Sequence, residues 1–223
     1  MSDQPSLKIL AFLGSPRRGG NTEILLDEAV SAAQAAGAET DKVVLSRLEY
    51  EGCRECGGCD QTGSCVVQDD MQELYPKIRE ADRIIIASPV FFAGSTSQTK
   101  AMFDRNQANW VGKYKLKKNP EERPRGRLGA IIAVSGLKNP EIFRGLGAEV
   151  RAFFRTNDVT YLGGLFFPGI DQRGEVSGHK AALEAAGELG RFLADGGPRP
   201  EALVKEPWVG PTADHRDRGP GPD

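Results

Sequence analysis

Short apolar runs and longer amphipathic stretches alternate along this chain, a rhythm of strand followed by helix. Leu7–Leu13 is a nearly continuous apolar run, suited to a strand buried on both faces. A Gly-rich turn separates it from an Ala-rich helix expected over Thr22–Ala36 and closed by Gly37. Val43–Leu45 reads as a short second strand. Asp69 and Asp70 are expected to cap a helix through Met71, Leu74 and Ile78, which Pro76 should kink or shorten. Ile84–Ala87 is the most strand-like run, and a helix is expected over Ser97–Ala108. Leu128–Val134, a helix over Pro140–Phe154, Val159–Phe167 and a last helix over Ser177–Leu193 complete the series. Five strands, each followed by a helix, predict an α/β fold: a doubly wound five-stranded parallel sheet with helices on both faces.

Two segments stand outside that rhythm. Asn109–Arg127 is polar and basic, with Lys113, Lys115, Lys117 and Lys118 beside Trp110 and Tyr114, and reads as a solvated loop rather than a partner site. Residues 197–223 hold six of the 14 prolines, too many for a helix or a central strand. The division expected is therefore a domain over 1–196 and a tail over 197–223, either disordered or an extended arm. At 223 residues the chain is long enough for a substantial core. A net charge of −2 and a pI near 5.8 supply no field for nucleic acid. The MSDQPSLK start lacks a signal-peptide layout, and no apolar run approaches the roughly 20 residues that span a bilayer. A cytoplasmic protein, with no membrane and no nucleic-acid partner, is the expectation. No internal repeat is found.

All four cysteines fall in one short segment, Cys53, Cys56, Cys59 and Cys65, spaced C-x2-C-x2-C-x5-C. Thiols three residues apart have poor disulfide geometry and would close loops too short to constrain the unfolded chain. Zinc favours two knuckles separated by a dozen or more residues, and a redox pair would use only two of the four. A 4Fe–4S cluster takes four thiolates in this kind of spacing, and Gly52, Gly57, Gly58 and Gly63 let the backbone turn tightly around it. The cluster is the leading reading, with zinc and reactive thiols left open. The segment would lie beyond the carboxyl end of the second strand, on the edge where such sheets place ligands.

The first strand runs into Gly14-Ser15-Pro16-Arg17-Arg18-Gly19-Gly20-Asn21-Thr22 at the start of a helix. Orphan backbone N–H groups and the positive dipole end would meet there, with Ser15, Asn21 and Thr22 as neutral donors and Arg17 or Arg18 as charge, which suits a phosphate. The lysine of a nucleotide triphosphatase loop is missing, and G-x-G-x-x-G does not occur in this turn.

LKILAFLGSPRRGGNTE followed by DRIIIASPVFFAGSTSQTKAMFDR resembles the flavodoxin-like NAD(P)H-dependent FMN reductase family. With the cysteine segment between them, the chain is most similar to the iron–sulfur flavoproteins of that family, over about residues 6–195. The resemblance implies a flavodoxin-like fold and puts Ser15, Arg17, Asn21 and Thr22 at the FMN phosphate. Ser88 to Gly94 would run along the isoalloxazine ring, with Pro89 stiffening the strand end and Val90, Phe91 and Phe92 offering apolar surface. Gly94 would let backbone N–H groups reach the polar edge of the ring. Ser135-Gly136 would supply a third loop. Phe91 replaces the tyrosine more usual there, and plain core packing is the competing reading for Phe91 and Phe92. Asp104-Arg105 is read as structural, and neither His179 nor His215 is assigned a role; no Ser/His/Asp set or paired carboxylate recommends itself for hydrolysis.

The function expected is a redox protein in which FMN and a 4Fe–4S cluster carry electrons from a ferredoxin-like protein or NAD(P)H to a small-molecule or protein acceptor. FMN rather than FAD follows from a turn built for a terminal phosphate with no adenosine fingerprint. The alternatives are a cluster-free NAD(P)H-dependent FMN or quinone reductase and a non-enzymatic, metal-stabilised binding module. A homodimer or homotetramer is expected, with the tail and Trp208 lying across a neighbour.

Overall fold

The computed structural model describes residues 6–118, 124 and 126–207. Five parallel strands lie in the order β2-β1-β3-β4-β5: β1 Lys8–Leu13, β2 Glu39–Val44, β3 Arg83–Pro89, β4 Leu128–Ser135 and β5 Thr160–Pro168. That order is the flavodoxin-like form of the doubly wound sheet. β1, β3 and β4 are almost wholly buried because helices cover both faces, which is why they are apolar without alternation.

Alternate side chains of the strands feed two cores. Ile9, Ala11, Leu13, Ile85, Ile132 and Val134 face α1 (Asn21–Ala35) and α6 (Lys180–Asp195). Leu10, Phe12, Ile84, Ile86 and Ile131 face α2 (Met71–Glu80) and α5 (Arg144–Thr156). α1 and α6 approach closely enough that a Cβ on Gly190 would overlap the Ala29 carbonyl.

The pattern misplaced several boundaries. β2 begins at Glu39, earlier than expected, because it is an edge strand open to solvent and its Glu39, Asp41 and Lys42 disguise it. Asp70 does not cap α2: its carboxylate accepts Glu49 N–H (2.7 Å), while Asp69 accepts Met71 N–H (3.1 Å). Pro76 sits inside α2 without ending it. α3 (Ser97–Arg105) stops at Asn106, and α4 (Gln107–Trp110) runs on into a π turn over Val111–Lys115, so the expected loop begins as helix.

Arg127, at the end of that connection, is 2% exposed. It donates to Ala81 O (2.7 Å), Asn157 O (2.5 Å) and Ile78 O, satisfying carbonyls at the ends of α2 and α5. Beyond α6 the chain returns along β5. Val204 and Gly164 exchange backbone hydrogen bonds (2.8 and 3.1 Å), Leu203 is buried, and Arg199 donates to Leu162 O (2.8 Å). Trp208 and His215 lie outside the described residues.

Candidate functional site

The loops leaving β1, β3 and β4 meet in one cleft at the carboxyl edge of the sheet. Ser15, Arg17, Asn21 and Thr22 line it from the first loop, Pro89, Val90 and Phe91 from the second, and Ser135 and Gly136 from the third. The segment after β5 adds Ile170, Asp171 and Arg173, which the sequence reading missed because a tertiary contact, not a local motif, brings that loop over the cleft. Arg18, Phe92 and Gly94 do not line the cleft.

On the phosphate-turn side, the first intrahelical bond of α1 is Ile24 N–H to Gly20 O (3.1 Å). The N–H groups of Asn21, Thr22 and Glu23 precede it and have no acceptor within the helix, which is the anion-binding arrangement of a helix start. Ser15 and Thr22 are 5% and 2% exposed, so their hydroxyls face a confined space. The Asn21 side chain is already committed: it donates to Gln172 O (2.8 Å) and accepts from Val176 N–H (3.1 Å), pinning the loop after β5 over the cleft. Glu23 accepts Gly19 N–H (2.6 Å) and pairs with Lys42 (3.3 Å). Burial works to raise its pKa, but these contacts bring it below the usual carboxylate value.

Gly14 is required by a close approach, since a Cβ there would overlap the Thr99 hydroxyl. Thr96 Oγ1 donates to Gly14 O (2.7 Å), lies 3.0 Å from Thr99 Oγ1 and accepts Thr99 N–H (3.4 Å) as the cap of α3. This buried trio fastens the second loop to the first.

The second loop is a tight turn in which Phe91 and Gly94 exchange backbone hydrogen bonds (both 3.0 Å) and Phe92 and Ala93 both have positive φ (47° and 62°). Two non-glycine residues in this region carry strain of about 1–2 kcal/mol each. The turn corrects one expectation and rules out one competing reading. Gly94 N–H is used to close the turn and does not face the cleft, and the small size of Gly94 instead admits the Glu149 carboxylate, which accepts Ser95 N–H (3.1 Å). Phe92 is fully exposed and Phe91 is exposed, so neither is core packing.

A second concavity is lined by Cys53, Cys56, Cys59 and Cys65 together. It shares no lining residue with the cleft. The thiols are free, and no three His, Cys, Asp or Glu side chains among the described residues stand together as a metal-ligand group. The donor set nevertheless suits a multi-thiolate centre. Glu55 N–H points at Cys53 Sγ (3.4 Å), and Gly57 and Gly63 take the positive φ that tight turns demand. Burial pushes the Cys59 thiol pKa up, and Asp60, Cys53 and Cys65 push it further; a thiolate set needs a cation to hold it. Arg105 clasps the segment from both ends: it donates to Glu51 O (3.1 Å) ahead of Cys53, and to Val67 O (3.4 Å) and Asp69 (2.5 and 2.9 Å) beyond Cys65.

The profile of the NADPH-dependent FMN reductase family matches residues 7–142. An iron–sulfur flavoprotein of Methanosarcina thermophila is 34% identical over 163 residues, covering 73% of this chain and 78% of the relative. A solved flavone reductase superposes with a TM-score of 0.62 at 21% identity; 85% of this chain is covered, and the chain spans 62% of that structure's length. An NAD(P)H:quinone oxidoreductase from Methanothermobacter marburgensis gives 0.63 at 18% identity, covering 84% of this chain and 94% of that one. No helix of the described residues is long and apolar enough to cross a membrane.

Proposed function

The chain belongs to the NADPH-dependent FMN reductase family, in its iron–sulfur flavoprotein subgroup, and from that premise we propose that it passes electrons from a reduced carrier to a small-molecule or protein acceptor using FMN and a 4Fe–4S centre. The observation that carries the reading is the single cleft in which the start of α1 meets the loops after β3 and β4. FMN supplies two-electron storage and the cluster supplies one-electron transfer; the chain's residues bind and orient them.

The free N–H groups of Asn21, Thr22 and Glu23, the hydroxyls of Ser15 and Thr22 and the charge of Arg17 hold the phosphate. Arg173, whose guanidinium lies beside Gly19 of the same turn, adds a second cation. Pro89, Val90 and Phe91 form an apolar wall for the flat ring, and the small size of Gly136 lets Asp171 pack against the third loop. Cys53, Cys56, Cys59 and Cys65 hold the iron. The donor is NAD(P)H or a ferredoxin-like protein. Because cleft and cysteine concavity share no wall, the pairing of flavin and cluster is assigned to neighbouring copies in a homodimer or homotetramer.

Anaerobic purification, a visible spectrum and chromatography of the flavin released on denaturation test this directly. FMN with about four iron and four sulfide per chain supports it. FMN without iron after anaerobic reconstitution favours a cluster-free NAD(P)H-dependent reductase. FAD as the main flavin overturns the assignment of the cleft. Light scattering reads the assembly, and a monomer that transfers electrons rapidly between the two centres overturns the shared arrangement.

A further inference from the structure

We infer that Arg105 is a positioning residue that sets the reduction potential of the centre held by the four cysteines, an inference that rests on the cluster reading above. Arg105 ends α3, is 2% exposed and lines the cysteine concavity, whereas its partner Asp69 does not line it. A guanidinium has five N–H bonds. Both on Nη1 are used, by Glu51 O and Asp69, and both on Nη2, by Asp69 and Val67 O. The fifth, on Nε, is buried with no partner. Folded proteins rarely leave such a donor orphaned, and at the wall of a thiol-lined concavity the acceptor it awaits is sulfur.

The charge geometry agrees. Asp69 accepts from the two outer nitrogens and stands outside the concavity, while Arg105 lines it. The other charged lining residues, Arg54, Glu55, Asp60 and Lys115, are exposed, and Lys115 is paired with Asp60 (3.3 Å). Water screens them. One electron entering a cluster adds one negative charge and breaks no bond. A buried cation and an N–H···S bond favour that reduced form and so raise the potential.

The test uses the full chain, prepared anaerobically, with iron and sulfide assays, an EPR spectrum of the reduced protein and a redox titration. Asp69→Asn removes the compensating carboxylate and should move the cluster midpoint to higher potential. The pair Arg105→Gln with Asp69→Asn keeps a neutral clasp and should move it lower than wild type at unchanged iron content, with Arg105→Lys in between. A loaded cluster whose midpoint is the same in all variants overturns the inference and leaves Arg105 a clasp only. If the double variant does not hold iron, Asp69→Asn decides alone, and no upward shift overturns the inference. A wild-type protein that takes up no iron and sulfide overturns the cluster reading itself, a distinct result.

Discussion

Replacing Thr96 by valine keeps the shape of a fully buried side chain and deletes one oxygen. Proton bookkeeping shows what that oxygen does. Thr96 has a single hydroxyl proton, donated to Gly14 O, so the Thr99 hydroxyl must donate to Thr96 Oγ1, which also accepts Thr99 N–H. Valine therefore strands a carbonyl, a hydroxyl and an amide where Thr96 and Thr99 are both 0% exposed. One unsatisfied buried group costs about 1–3 kcal/mol and a lost helix cap about 0.5–2 kcal/mol; these overlap, so about 3 kcal/mol is expected. Thr96→Ser keeps the oxygen and loses a methyl, which costs about 1 kcal/mol. Urea unfolding of the FMN-free protein, with the slope checked for constancy, measures the difference. FMN affinity should fall with the valine variant alone, since the link joins the two loops of the cleft. Valine and serine variants of equal stability would show that the trio does not fasten those loops.

Arg17→Ala and Thr22→Ala should each weaken FMN binding by about 1–3 kcal/mol, the range for hydrogen bonds to charged groups, as read by flavin fluorescence titration. Cys59→Ala should lose the iron and sulfide while retaining FMN, measured on anaerobically reconstituted protein. Arg127→Met should lower stability by about 3 kcal/mol or more in urea unfolding, because it leaves buried helix-end carbonyls unpaired. Burial would raise the Asp69 pKa, but Arg105 overcomes it and holds the carboxyl below its usual value. The stability this adds is fully present above the unfolded value of about 3.9 and is lost as pH falls through the depressed one. Asp69→Asn should therefore be less stable at neutral pH but flatten the acid limb, followed by circular dichroism.

What the sequence revealed depended on whether one segment carried its own signal. β3 was legible because Ile84, Ile85 and Ile86 are buried on both faces, and the turn after β1 because its helix start lies next to it in sequence. β2 was partly hidden by edge polarity. Asp70 looked like a cap, yet a contact with Glu49 claimed its side chain. Arg127 looked like one more charge in a basic loop; its burial depends on carbonyls from two distant helices. Arg173 and Asp171 reach the cleft only because Asn21 pins their loop, a tertiary contact without a local motif. The four cysteines announced a shared task, but the orphaned Nε–H of Arg105 could be found only in three dimensions.

The returning segment after α6 has a further consequence for how copies of the chain can adhere. An outermost strand normally offers a ladder that a neighbour could extend, but at Gly164 that ladder is occupied by Val204, and a Cβ on Gly163 would crowd the Val204 carbonyl. The β5 side is thereby closed to strand addition where the two segments meet. Association across that flank must proceed through side-chain surfaces, whose specificity mutation can adjust residue by residue, rather than through indiscriminate backbone zippering.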